Sequence, residues 1–156
     1  MINMNKRLPG ALTVRPIIDR KKFYLLSFTW GLPMTMAGLV VACGMRLTGH
    51  KAHRFGPCLY FEKGKGWGGM TWGFIIVACE GAGQRLLAHE LGHAMQNCRF
   101  GPFMPFLVGI PSSLRYHARR LFTRVSGREP RTAYDASWFE GQATAVGLEY
   151  IKMTAG

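Results

Sequence analysis

The chain has 156 residues, 48% hydrophobic and 18% charged, with 20 Lys plus Arg against 8 Asp plus Glu and a formal charge of +12. That length allows one domain with an anchor, and so apolar a composition excludes a disordered chain. The basic residues are spread from Lys6 to Lys152 and the aromatics sit in apolar stretches, so nucleic acid is not expected and the charge reads as affinity for an anionic membrane surface.

A basic segment, 1–22, ends in Arg20-Lys21-Lys22. It is followed by Phe23 to Met45, 23 residues without one charge. That is long enough to span a bilayer, with Tyr24 and Trp30 placed for headgroups and Pro33 tolerated as a bend. The expectation is an N-terminal transmembrane helix over 23–46 and a single-pass protein of the bacterial cell membrane; the other reading is a buried core helix. Basic residues flank both ends, so orientation is open. Val40-Val41-Ala42-Cys43 also has the look of a lipoprotein processing site. Cys43, Cys58, Cys79 and Cys98 form no CxxC pair, which argues against a zinc ribbon or a redox pair.

Two β-rich runs, Cys58–Glu62 and Met70–Ala78, flank the glycine-dense stretch holding Gly64, Gly66, Gly68 and Gly69 and predict a hairpin in a small antiparallel sheet. No GxxxxGK[ST] is present, so a phosphate loop is set aside. Glycines here either make a tight turn or let another backbone, such as a peptide substrate, pair with a strand edge.

The stretch from Gln84 to Asn97 contains His89-Glu90-Leu91-Gly92-His93, an HExxH motif. On a helix, residues four apart share a face, so His89 and His93 can hold one metal ion, and Glu90 beside them can take a proton from water as general base. Zn²⁺ is the expected cofactor, because imidazole and carboxylate ligands with one open position suit hydrolysis at neutral pH. A third ligand must follow. Downstream lie His117, Glu129, Asp135, Glu140 and Glu149. Glu140 stands out because it shares a helical face with Ala143, Thr144 and Gly147, small residues that would let its helix lie close to the motif helix. Asp135 or Ser137 would cap that helix, and Thr144 could hydrogen-bond a ligand. Tyr116, His117 and Tyr134 are candidate transition-state donors.

HELGH followed by Glu-x-x-Ala-Thr resembles the gluzincin arrangement, in which many members have an aspartate where this chain has Thr144. CLYFEKGKGWGGMTWG, HELGHAMQNCRFGPFMPFLVGIPSSLRY and WFEGQAT together resemble an uncharacterised family of membrane-associated bacterial HExxH metallopeptidases, over about Leu32 to Tyr150. The resemblance implies His89 and His93 as ligands, Glu90 as base and Glu140 as third ligand, on a zincin-like minimal domain over 47–156.

Between the motif helix and the next, Phe100 to Pro111 is apolar but broken by three prolines. It cannot be a regular helix, and reads either as an interfacial or re-entrant segment or as a loop packed under the domain. The expected fold is α+β, with the motif helix over about Arg85–Asn97, another over Ser113–Val125 and a last over Asp135–Met153. The expected function is a membrane-anchored zinc peptidase acting on a peptide or protein substrate, with membrane lipid as a further partner. The alternatives are an intramembrane-type metalloprotease and a non-catalytic membrane protein with a structural metal site that binds a partner.

Overall fold

The computed structural model describes residues 15–130, 132 and 136–155. It is α+β, in the order α1 (Arg20–Phe28), α2 (Leu32–Leu47), β1 (Ala52–Phe55), β2 (Cys58–Glu62), β3 (Gly69–Trp72), β4 (Ile75–Ala78), α3 (Gln84–Phe100), α4 (Ile110–Ser126) and α5 (Trp138–Thr154).

The uncharged stretch does not form the single transmembrane helix expected of it. Asp19 caps α1 by accepting from the Lys21 amide, and the chain then turns by 95° between α1 and α2. Pro33 has no amide proton for the Thr29 carbonyl, and its ring would collide with that carbonyl in a continuous helix. It sits instead in the first turn of α2, where the missing donor costs nothing. The elbow is held from inside: Thr35, fully buried, donates to the Ser27 carbonyl at 2.8 Å. Among the described residues no single helix is long and apolar enough to cross a membrane. Phe23 and Met45 belong instead to the same core as Ile75 and Leu91, while Leu25, Met36 and Val40 are exposed.

The sheet is also different from the predicted antiparallel hairpin. Its order is β1-β2-β4-β3, with β2 parallel to β4 and the outer pairs antiparallel. The run Met70–Ala78 is two strands, because Gly73, with φ +60°, begins a two-residue turn that pairs Trp72 with Ile75. A side chain at Gly73 would also strike Thr35 of α2. The loop after β2 therefore crosses the end of the sheet, held by Glu80 and Cys79 amides donating to the Gly64 and Gly68 carbonyls, and β4 fills the place it leaves. Each β4 residue is buried, as a strand covered on both faces requires. β3 is left as an edge, and both α2 and α3 pack against β3 and β4.

Beyond α3, Gly101–Phe103 forms one 3₁₀ turn and Pro105–Gly109 a π turn before α4 begins with Pro111 in its first turn. The prolines thus keep the stretch from being a regular helix, as expected. For α5, Ser137 occupies the N-cap position but its hydroxyl makes no capping hydrogen bond; the other expected cap, Asp135, and the candidate donor Tyr134 lie outside the described residues.

Candidate metal centre

Helix α5 reaches α3 because both helices are bare at the crossing. A Cβ at Gly92 would lie 1.9 Å from the Ala143 carbonyl oxygen, and one at Gly147 would lie 1.7 Å from that of Ala88. Backbone therefore rests on backbone, and Glu140 is carried onto the face of α3 that bears the two histidines. His89 Nε2 and His93 Nε2 stand 3.1 Å apart, with Glu140 Oε2 at 3.0 Å from the first and 3.3 Å from the second.

This triangle fits a zinc ion. Bonds of about 2.0–2.1 Å to a tetrahedral Zn²⁺ put its ligand atoms about 3.3 Å apart, close to the three spacings observed. The tautomers fit as well. The Gln96 amide is fixed by Nε2 donating to the Phe139 carbonyl at 2.8 Å and to Gln142 Oε1 at 3.0 Å. Its oxygen then faces His93 Nδ1 at 2.8 Å, so the ring proton of neutral His93 belongs on Nδ1 and the lone pair on Nε2. His89 Nδ1 meets Thr144 Oγ1 at 2.8 Å, which permits the same arrangement. Three lone pairs then converge, and Glu140 Oε2 is buried without a hydrogen-bond partner. A buried group of this kind needs a cation, either a proton or a metal.

The electrostatics show the same pull. Burial opposes charge on His93, yet the Glu140 carboxylate, Glu90 and the Gln96 oxygen outweigh it and raise its pKa. Burial would likewise raise Glu140, but the His89 and His93 imidazoles beside it, with the Ser112 hydroxyl, hold it well below the usual carboxylate range. Ser112 Oγ donates to Glu140 Oε1 from the first turn of α4, which fixes the carboxylate so that Oε2 alone faces the histidines.

Glu90 is 4% exposed and points to the other side of the pair, against the edge strand. Thr71 Oγ1 lies 2.6 Å from Glu90 Oε2. Gly69 provides the room, since a Cβ there would come within 2.9 Å of three atoms of the carboxylate arm. These groups line a cavity of about 1080 Å³ whose other walls include Trp72, Met104, Val108 and Tyr116. His117 also lines it, exposed, but stands apart from the ligand cluster. Glu129 is exposed in the turn after α4, and Glu149 is no part of the cluster. Among the described residues the group whose ligand atoms could hold one metal ion is His89, His93 and Glu140.

Sequence reasoning missed Thr71 and Ser112, and it read Gly69 as part of a turn or an open strand edge but not as the space for Glu90. Gln96 had a signal, lying one helical turn beyond His93; the others come from separate elements and had none. Comparison with protein-family models, curated proteins and solved structures finds no match to the chain.

Because Thr144 is what steadies His89, its replacement should be felt in metal binding. Thr144→Val keeps the shape and removes the partner of Nδ1, and should weaken zinc about 10- to 100-fold in competition against a chelating dye. Thr144→Asp should bind zinc at least as tightly as the parent, since a carboxylate stabilises a ligating imidazole better than a hydroxyl.

Proposed function

We propose that the chain is a zinc-dependent hydrolase of peptide bonds, in which His89, His93 and Glu140 hold the ion and Glu90 is the general base. The observation that carries this is the triangle of two imidazole nitrogens and one carboxylate oxygen, with a buried glutamate beside it, at the wall of an open cavity. Bound zinc would polarise the scissile carbonyl and make water acidic enough to attack near neutral pH.

The remaining work falls to the chain. With Oε2 of Glu90 engaged by Thr71, Oε1 is the oxygen that takes the proton from water and returns it to the leaving amine. Gln96, Thr144 and Ser112 orient the ligands through their outer atoms. Tyr116 and His117, both on α4 and both facing the cavity, are the donors available to the carbonyl oxygen as it gains charge. The peptide assignment rests on β3. Among the described residues it is an edge strand paired with β4 alone, its residues Gly69 to Trp72 line the cavity, and an extended peptide can add to such an edge through its own backbone.

Thr71 gives a test of this geometry that does not disturb the ion. Thr71→Val should lower kcat on an unstructured peptide about tenfold or more while zinc content and KM stay near the parent's, because it removes one hydrogen bond to the base. Thr71→Ser should restore the rate. A valine variant as active as the parent would show that Glu90 is not the base, or that strand β3 does not position it.

A further inference from the structure

Helix α4 contributes Ser112 to the centre and several residues to the cavity wall, yet none of its 17 residues is buried. Its apolar residues are ordered all the same. At about 100° per residue, Ile110, Leu114, Ala118, Leu121, Phe122 and Val125 fall on one arc of roughly a third of the circumference. Leu114 is 65% and Val125 80% exposed. The turns leading into the helix add exposed Phe103, Phe106 and Leu107, and Phe103 stands 6.4 Å from Trp30 of the α1–α2 elbow, ring centre to ring centre. Isolated apolar side chains on a surface mean little, but an ordered stripe of this size marks something that covers it.

Charge identifies the cover. From residue 91 to residue 128 the sequence has no acidic side chain and six arginines, Arg99, Arg115, Arg119, Arg120, Arg124 and Arg128. On the helix wheel Arg115 borders one side of the apolar arc and Arg124 the other. From Arg124 the positive charge continues around to the far side of the helix, where Arg119, Arg120 and Arg124 with Lys65 wall a recess of about 700 Å³ in which Glu129 is the one acid among the described residues. A protein partner of ordinary composition would need acids to match this border and apolar groups to match the stripe. An anionic bilayer offers both at once, phosphates at the level of the arginines and acyl chains below them.

We infer that α4 and the turns before it are a peripheral membrane-docking surface for anionic phospholipid. The helix lies in the interface with Leu114, Leu121 and Val125 among the acyl chains, while Arg124, at the border of the stripe, meets headgroup phosphate. This inference does not rest on the hydrolase reading, and it does not need the α1–α2 pair to cross the bilayer. Its consequence for the centre is positional, since Ile110, Ser113 and Tyr116 also line the metal-site cavity. Substrate would then reach the site along the headgroup layer.

Flotation of the full chain with vesicles tests it. Wild type should float with vesicles of phosphatidylcholine and phosphatidylglycerol, bind vesicles of phosphatidylcholine alone at least tenfold more weakly, and be released as salt rises. The pair Leu114→Glu with Val125→Glu, and separately the charge reversal Arg124→Glu, should each weaken binding at least tenfold. Far-UV circular dichroism like the parent's would show them folded, as expected for exposed positions. Several outcomes overturn the inference: undiminished flotation of the glutamate pair, equal binding to neutral vesicles, or no binding at low salt. It is also overturned if wild type, without lipid, is a dimer that the Leu114 and Val125 changes make monomeric, for the stripe then belongs to a second copy.

Discussion

Loaded with zinc, Glu90→Gln should keep the metal and lose peptide hydrolysis by about 10²- to 10⁴-fold, the range that a positioned general base contributes. The glutamine amide can still accept from Thr71, so the packing between α3 and β3 survives; what disappears is an oxygen able to carry a proton. His89→Ala and His93→Ala should lose both metal and activity, because each removes one corner of a three-atom site. Metal analysis of the purified proteins beside a fluorogenic peptide assay separates the two classes. If Glu90→Gln and wild type hydrolyse peptide equally, or neither does so with zinc bound, the catalytic role assigned to Glu90 is wrong.

The second large effect is expected at a residue that has no side chain. Gly147→Val would drive a branched side chain into the Ala88 carbonyl, which a Cβ alone would approach to 1.7 Å. Backbone cannot rotate aside as a side chain can, so α5 must lift from α3. The cost should exceed about 3 kcal/mol, the upper range for overpacking a tight interior. Since Glu140 rides on the same helix, zinc binding should fail in whatever folded protein remains. Gly44→Ala is the control: it lies within α2, a Cβ there meets nothing within 4 Å, and alanine should stabilise by about 0.5–1 kcal/mol. Thermal melts with and without zinc would show whether the two glycines behave oppositely.

The α-helical part of the centre was legible because helical period converts letters into faces. Spacing alone put His89 above His93, and it put Glu140, Ala143, Thr144 and Gly147 on one side of a later helix; the small residues there are the reason that side can touch α3. The sheet resisted because strand pairing is settled by which segments lie adjacent after the chain has turned, and nothing in Cys58–Glu62 says that β4, not β3, will be its neighbour. Gly73 did mark the break between β3 and β4, within a run whose apolarity suggested one long strand. The same bias toward apolar continuity favoured one helix over Phe23–Met45, although Pro33 stood in its middle. Thr71 and Ser112 carried no signal at all. An isolated hydroxyl in a sequence does not reveal which carboxylate it will meet.

His89 and Thr144 are separated by 55 positions, and Glu140 arrives with Thr144 on α5. Synthesis from the N-terminus therefore completes the HExxH helix, which ends at Phe100, before Glu140 is added. Throughout that interval the emerging polypeptide holds two imidazoles and a base but not the carboxylate that completes the set. On the proposed function, cleavage would wait until α5 has docked on α3.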